Sequence, residues 1–176
     1  MIVRPATLED VPALMSLYND LGVATTASYD LEPVPAAERL AWLWQHQKAG
    51  WPVLVAVEDG VIGYAAYGAF RPKAGYAHTA ETSVYVREDH QRAGVGRDLM
   101  GALIDIAREH DIHALISLVD AENDASIRFH ESLGFTTVGT LPQVGRKFDR
   151  WLSLTMQVLL LEPAAAEATP PGTPLH

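Results

Sequence analysis

The sequence predicts a single α/β domain, with a mixed, mostly antiparallel central sheet and helices on both faces. Two features of the apolar pattern lead to this prediction. Two apolar strands joined by a short turn occupy the middle of the chain, and strands then alternate with helices. The domain is expected to span residues 1–162. The tail over residues 163–176 is rich in Ala, Pro and Thr without an apolar period, and is predicted to be disordered.

The first third of the chain is predicted to form one short strand and two helices. Ile2 and Val3 open the strand, and residues 7–10 have the composition of a helix cap. Apolar positions at helical spacing then continue to about Leu21. After a loop over residues 24–35, a second helix is expected, which Gly50 ends.

The rest of the domain is predicted to supply most of the sheet. Asp59-Gly60 is typical of a tight turn between two paired strands. The remaining predicted elements are strands at 53–57, 61–67 and 81–86, a helix that carries apolar positions between Leu99 and Ala107, a strand at 114–118, a helix at about 123–133, a strand at 135–140, a loop, and a last strand at about 151–161.

Composition excludes several classes of function. A net charge of −9 without an offsetting basic stretch argues against binding nucleic acid or anionic membranes. The chain has no cysteine, so disulfides, thiolate zinc sites and a cysteine nucleophile are excluded. The histidines lack metal-ligand spacing, so no metal site is expected. Neither a signal peptide nor a spanning segment is recognisable, which predicts a cytoplasmic protein. The net negative charge favours a small molecule as its partner.

One glycine-containing segment has the features of an anion-binding turn. Gln91-Arg92-Ala93-Gly94-Val95-Gly96 lies between a predicted strand and a predicted amphipathic helix. Glycines allow close approach of a ligand to the backbone, and free N–H groups at a helix start attract phosphate. The segment lacks the Lys-Ser/Thr of a P-loop and the third glycine of a dinucleotide fingerprint. On these six residues alone, a helix start without a ligand explains the glycines equally well.

The segment resembles the (Gln/Arg)-x-x-Gly-x-(Gly/Ala) motif with which the GNAT acetyltransferase superfamily binds the pyrophosphate of coenzyme A. A second segment, Asn123 to Phe135, is similar to the superfamily signature of an Asn that opens a helix ending in Leu-Gly-Phe. The order of the predicted elements also matches, from about Ile2 to Leu161. The resemblance implies the GNAT fold and acetyl-CoA as acyl donor.

Within the superfamily, the chain most resembles the branch that acetylates phosphinothricin and methionine sulfoximine or sulfone. The runs that carry this resemblance are 25–29, 81–86, 142–145, 147–148 and 150–152. It implies a small amino-acid-like acceptor, and a homodimer is expected because relatives often form one. Lys73 and Ser153 depart from the branch pattern, since relatives tend to have an apolar or aromatic residue and an Asp there.

The resemblance also implies roles for individual residues. Glu81 is the candidate base that removes a proton from the acceptor amine, and His130 stands where many members carry a tyrosine that protonates the leaving thiolate. For Glu81 the alternatives are an ordinary exposed strand carboxylate and a carboxylate that only binds the ammonium of the substrate. For His130 the alternative is a helix-surface histidine. The residues expected to contact the cofactor are Val84, Tyr85, Val86, Gln91, Arg92, Ala93, Gly94, Val95, Gly96, Arg97 and Asn123.

For the acceptor, Arg71 is the candidate for holding an amino-acid carboxylate through its guanidinium. The other residues expected around the acceptor are Lys73, Glu81, Thr82, Ser83, Tyr29, Lys147 and Trp151. These roles predict direct acetyl transfer to an α-amine while both ligands are bound. The alternatives are another amine acceptor, such as a peptide N-terminus or a polyamine, and a non-catalytic acyl-CoA or amino-acid sensor.

Overall fold

The computed structural model describes residues 1–162; the predicted disordered tail lies outside these residues. The strands are β1 (Ile2–Pro5), β2 (Val53–Val57), β3 (Val61–Ala69), β4 (Thr79–Val86), β5 (Ala114–Asp120), β6 (Thr136–Lys147) and β7 (Arg150–Leu160). The helices are α1 (Val11–Tyr18), α2 (Ala36–Ala49), α3 (Val95–Glu109) and α4 (Asp124–Glu131).

All seven strands form one sheet in the order β1-β2-β3-β4-β5-β7-β6. Neighbours pair in antiparallel fashion except β4 and β5, which are parallel. Helices cover both faces, because alternate strand residues are apolar on each face. The predicted fold class is confirmed.

The two faces of the sheet bury separate apolar clusters. On one face, Leu14 of α1 and Leu43 of α2 pack against Tyr64 of β3. On the other, Leu103 of α3 packs against Leu115 of β5 within a larger cluster. Side chains on β4 alternate between the two, so this strand contacts both halves of the core.

The first helix ends earlier than the sequence predicts, at Tyr18 and not at about Leu21. Regular α1 stops at Tyr18, and the next turn is wider, with the Ala24 N–H donating to the Asn19 carbonyl at 2.8 Å. Such wide turns often occur at functional sites. This one delivers the chain into the loop that begins at Ala24.

The loop predicted between 141 and 150 was wrong, because β6 continues through it to Lys147. Pro142 is tolerated there since β6 is an edge strand with one unpaired side. A register shift between Leu141 and Gly145 interrupts the pairing with β7. Phe148 and Asp149 then form a two-residue turn in which both have positive φ, 51° and 56°.

Residues 1–162 contain neither a candidate membrane-spanning helix nor a candidate metal-binding cluster. No helix there is long and apolar enough to cross a membrane. In the same part of the chain, His, Asp and Glu side chains form no group of three or more that is placed to hold a metal ion.

Candidate active site

The main cleft opens where two neighbouring strands part. The parallel strands β4 and β5 pair only over Thr79–Glu81 and Ala114–Ile116. Beyond Glu81 the strands diverge, while β4 stays paired with β3 as far as Val86. The side of β4 that faces β5 is therefore left without a partner strand, and two cavities lie at this gap.

Alternate backbone groups of β4 are directed into this gap. The N–H of Arg87 donates to a β3 carbonyl at 2.9 Å. The alternation of an antiparallel ladder then pairs Tyr85 with β3 and turns Val84 and Val86 toward the gap. In agreement, the Val86 carbonyl accepts a hydrogen bond from the side-chain amide of Gln91 at 3.0 Å. The N–H groups of Val84 and Val86 are available to a ligand, whereas that of Tyr85 is not.

The larger cavity has a volume of about 840 Å³ and runs from the gap to the glycine turn. Most residues predicted to contact the cofactor line it. These are Val84, Tyr85, Val86, Gln91, Arg92, Gly94, Gly96, Arg97 and Asn123. Ala93 and Val95 do not, and the Val95 side chain is buried in the core instead.

Backbone conformation makes the glycine turn a cradle of N–H groups. Arg92 and Gly94 both have positive φ, 63° and 90°, and Gly94 caps α3. The first intrahelical bond there runs from the Asp98 N–H to the Gly94 carbonyl at 3.0 Å. The preceding N–H groups have no intrahelical acceptor and are free to bind an anion. A Cβ at Gly96 would lie 3.2 Å from the Phe129 ring, so this glycine also lets α4 approach closely.

Asn123 has a structural role as well as a place in the cleft. Its side-chain oxygen accepts a hydrogen bond from the Ser126 N–H at 3.0 Å and thereby caps α4. The residue also lines both cavities. Its amide nitrogen has no hydrogen-bond partner among residues 1–162 and is the part of the side chain available to a ligand.

The smaller cavity, of about 360 Å³, adjoins the larger one at the point where the strands part. The two cavities have several wall residues in common: Thr26, Ala27, Val84, Tyr85, Asn123 and Ser126. Of the residues predicted around the acceptor or the chemistry, the smaller cavity brings together Tyr29, Glu81, Thr82, Ser83 and His130. These side chains come from three separate parts of the chain.

Glu81 lies at the last position of β4 that pairs with β5, and its carboxylate is half-buried. Burial raises the pKa of Glu81, and the nearby positive charge of Arg71 opposes the rise. A carboxylate with a raised pKa is a stronger base, so the environment favours proton acceptance at this position. Arg71 itself is exposed and is close enough to Glu81 to act on it, but it lines neither cavity.

His130 is buried, with 4% of its surface exposed, rather than on the helix surface. Its Nδ1 lies 2.8 Å from the Ser126 carbonyl. Since a carbonyl only accepts, Nδ1 carries the hydrogen and Nε2 of the neutral ring has none. Burial lowers the pKa of His130 and favours this neutral form. The predicted role of proton donor to a thiolate does not fit, because neutral His130 presents an acceptor.

Three other residues predicted around the acceptor lie outside the cavity walls. Lys73 is exposed. Trp151 is 57% exposed, with the Arg146 guanidinium 5.3 Å from its ring centre. Lys147 is buried, and its ammonium donates to the carbonyls of Thr25 and Ser28, both at 2.7 Å.

The cavity also includes residues that the sequence did not single out. Ser117 and Asp120 come from β5, and Tyr18 comes from α1. Asp120 is 2% exposed; one carboxylate oxygen accepts from the Glu122 N–H at 2.8 Å, and the other has no partner in the described chain. The sequence signal that could have identified Asp120 is its position at the end of a buried strand, because a polar residue there is placed to face a ligand.

Comparison with known proteins agrees with this geometry. The acetyltransferase (GNAT) family model matches residues 14–135. The chain is 45% identical to a methionine sulfoximine/methionine sulfone acetyltransferase of Salmonella typhimurium, covering 96% of this chain and 99% of the relative. It is 37% identical to a phosphinothricin N-acetyltransferase of Streptomyces coelicolor, covering 85% and 90%.

A solved structure gives the same result at the level of the fold. It is a GNAT superfamily phosphinothricin acetyltransferase from Sinorhizobium meliloti in complex with acetyl-CoA. The TM-score is 0.89 at 26% identity, over 97% of this chain and 95% of that one. The chain therefore belongs to the GNAT family and is an N-acetyltransferase that uses acetyl-CoA.

Proposed function

We propose that this enzyme transfers an acetyl group from acetyl-CoA to the α-amine of a small amino-acid-like compound of the methionine sulfoximine, methionine sulfone or phosphinothricin type. The observation that carries the proposal is the pair of adjoining cavities with shared walls. One contains the anion cradle and the other the half-buried carboxylate of Glu81. Both relatives named above act on amino-acid-like acceptors, as their names state.

The larger cavity is the proposed site for acetyl-CoA, which supplies the acyl group as a thioester. Free N–H groups between Gly94 and Asp98 fit a pyrophosphate, since they converge at a helix start. The N–H groups of Val84 and Val86 fit an extended amide-bearing arm, which would add to β4 as a strand does. The proposed contacts are Val84, Tyr85, Val86, Gln91, Arg92, Ala93, Gly94, Val95, Gly96, Arg97 and Asn123, with Ala93 and Val95 limited to their backbone.

Glu81 is the proposed base. An α-amine is largely protonated near neutral pH, and a base that removes its proton raises the reactive fraction. Because burial raises the pKa of Glu81, its carboxylate holds an accepted proton more firmly than an exposed glutamate does. Glu81 takes this proton directly or through one water.

Transfer is direct, with both ligands bound together. The chain has no cysteine for a thioester intermediate, and the adjoining cavities let an amine reach the donor. His130 presents Nε2 as a hydrogen-bond acceptor at this junction, so it orients a donor group such as the amine or a water. Water supplies the proton that the departing thiolate requires.

Recognition of the amino-acid carboxylate is assigned to Arg71. Its guanidinium is close enough to Glu81 to lower the pKa of that carboxyl, and it is exposed, which leaves it free for a bidentate contact. Ser83 and Tyr29 provide polar groups in the wall of the cavity. The Thr82 hydroxyl is already bonded to the Ile116 carbonyl, so Thr82 shapes the wall instead.

The test is a thiol-release assay with acetyl-CoA and a panel of acceptors. The panel contains methionine sulfone, methionine sulfoximine, phosphinothricin, an N-terminal peptide and a polyamine. We expect turnover with one or more of the three amino-acid analogues, and an Arg71→Gln variant with a raised KM for them. Turnover confined to the peptide or the polyamine would replace the acceptor class.

A sensor is distinguished by the same experiment. It would gain thermal stability with acetyl-CoA or an amino acid without releasing thiol from any mixture. That result would reject the catalytic proposal, while the acetyl-CoA site would remain.

We propose in addition that the enzyme is a homodimer. The edge strand β6 exposes Val138, Leu141 and Val144, which are 45–58% exposed. Large apolar side chains on an edge strand support its pairing with a second copy. Light scattering of the wild type should give twice the monomer mass. The Val144→Glu variant should give the mass of the monomer. A monomeric wild-type chain at micromolar concentration would reject this assembly.

A further inference from the structure

The loop over residues 24–30 forms part of the roof of both cavities. Thr26 and Ala27 line both, and Tyr29 lines the smaller one. Backbone bonds attach this segment to the wide turn after α1: the N–H groups of Thr25 and Ser28 both donate to the Gly22 carbonyl at 3.2 Å. The position of the roof therefore determines the shape of the acceptor cavity.

Lys147 holds two carbonyls of this roof from the far end of the sequence. Its Nζ donates to Thr25 and to Ser28, each at 2.7 Å. These two carbonyls bracket Thr26 and Ala27, two of the wall residues that the cavities share. The side chain is 4% exposed, so the ammonium has exchanged water for these carbonyls. Charge-assisted bonds of this kind are stronger than neutral ones.

A second contact connects the roof to the same hairpin. The Tyr29 hydroxyl donates to the Ser153 carbonyl of β7 at 3.2 Å. Its ring lies on Gly145 of β6, where an added Cβ would stand 2.4 Å from a ring carbon. The glycine is thus required for Tyr29 to occupy its place. Both contacts come from the β6–β7 hairpin, next to the turn at 148–149.

The opposite side of the roof is attached to α1. The Tyr18 hydroxyl is 2.8 Å from the Ser28 hydroxyl and donates to the Asp30 carboxylate at 2.6 Å. These bonds hold Ser28 and Asp30 next to the helix, and Thr25 is held at the wide turn, where its hydroxyl donates to the Leu21 carbonyl at 2.6 Å. Lys147 is the hairpin residue that bonds two carbonyls of the roof, so the attachment of the roof to the hairpin depends mainly on it.

We propose that Lys147 is a positioning residue that fixes the 24–30 roof over the acceptor cavity, so that the β6–β7 hairpin controls acceptor binding. This rests on the proposed function in one respect only, namely that the smaller cavity is the acceptor site. Without the two bonds, the roof samples open positions, and the acceptor binds only the fraction of molecules that are closed. Saturating acceptor restores the closed roof.

The test compares Lys147→Met, which keeps the length and removes the donors, with Lys147→Gln, which keeps an N–H donor. Lys147→Met should raise the acceptor KM roughly tenfold, with kcat at saturation changed by less than about threefold. Lys147→Gln should recover part of the loss. Lys48→Met is the matched control, because Lys48 lies on α2 over Trp44, away from both cavities.

Hydrogen exchange tests the same inference without turnover. The amides of residues 25–29 should exchange roughly tenfold faster in Lys147→Met, while those of β2 and β3 should keep their rates. If no panel acceptor is turned over by the wild type, the proposed function fails, and this measurement still decides the role of Lys147. An acceptor KM within twofold of wild type, or unchanged exchange at 25–29, would overturn the proposal.

Gly145→Ala provides an independent variant should Lys147→Met fail to fold. The added methyl group displaces the Tyr29 ring and leaves Lys147 in place. Gly145→Ala should therefore raise the acceptor KM, as Lys147→Met does. Gly139→Ala lies on the same strand, where an added Cβ has nothing within 4 Å, and should leave KM unchanged. Equal KM values for the two variants would contradict control of the roof by the hairpin.

Discussion

The Thr82 hydroxyl donates a hydrogen bond of 3.1 Å to the Ile116 carbonyl. Thr82 lies one residue beyond Glu81, the last residue of β4 that pairs with β5. This bond closes the point where the two strands part. Both groups are buried, so the bond replaces a backbone contact that the diverging strands can no longer make.

Replacing Thr82 by Val should therefore destabilise the fold. The shape is nearly kept, but the Ile116 carbonyl is left buried without its donor, which costs about 1–3 kcal/mol. Urea denaturation measures the loss, and Thr82→Ser, which keeps the hydroxyl, should recover most of it. Equal stability of the Val and Ser variants would mean that the bond contributes nothing.

Gly94 gives a prediction for cofactor binding. An added Cβ there meets nothing within 4 Å, so the cost of Gly94→Ala comes only from its φ of 90°. Strain of about 1–2 kcal/mol should distort the cradle and weaken acetyl-CoA binding by roughly five- to thirtyfold. Calorimetric titration measures the change in Kd.

Gly101→Ala is the control for Gly94→Ala. Gly101 lies within α3, and its added Cβ also has open space. There the substitution should leave acetyl-CoA affinity unchanged and stabilise the helix by about 0.5–1 kcal/mol. Comparable losses of affinity in the two variants would contradict the conformational explanation.

Local chemistry explains why part of the site could be predicted from sequence. The left-handed cap at Gly94, the Asn123 cap and the β-rich run into which Glu81 leads each depend on neighbours within a few residues. Such features leave a pattern in the sequence itself. The two-residue period of a strand likewise places Val84 and Val86 on one face of β4 and Tyr85 on the other.

The β6–β7 hairpin could not be predicted for two physical reasons. Phe148 and Asp149 adopt positive φ without a glycine or asparagine, so the turn has no recognisable sequence signal. The partners of Lys147 are 119 and 122 residues away, and nothing local distinguishes a buried ammonium bonded to carbonyls from a pocket lysine. Tautomer and burial of His130 similarly depend on the packed fold.

Glu81→Gln should lower kcat by about 10²–10⁴-fold, the usual contribution of a general base. The pH–rate profile of the wild type should have an acid limb, because protonated Glu81 is not a base. The apparent pKa of this limb should lie above the ordinary range for glutamate, because burial raises the pKa of Glu81. That limb should be absent from the residual activity of the variant. A near-normal kcat at all pH values would remove Glu81 as the base, and the exposed Glu109→Gln serves as control.

Glu81→Gln should lower activity but raise the stability of the fold at neutral pH. A carboxyl with a raised pKa favours its neutral form in the folded state, so its stabilising effect is present below the unfolded pKa and is lost as pH rises through the folded pKa. Glu81→Gln should thus be more stable than wild type at neutral pH, with the difference shrinking in acid. Thermal unfolding at pH 4 and pH 7 measures both. A variant less stable than wild type at pH 7 would show that the charged form is favoured.

His130 provides a pH dependence of the opposite sign. Burial lowers its pKa, so the folded state disfavours the charged ring; its contribution is fully present above the unfolded pKa of about 6.5 and is lost as pH falls through the folded pKa. His130→Asn places an amide where Nδ1 donates to the Ser126 carbonyl and carries no titrating group. Between pH 7 and pH 5 the wild type should therefore lose more stability than this variant, measured by urea midpoints, with the exposed His113→Asn as control. Nitrogen-15 NMR of the neutral ring should find the hydrogen on Nδ1; a hydrogen on Nε2 would contradict the acceptor role and restore His130 as a hydrogen-bond donor in the cavity.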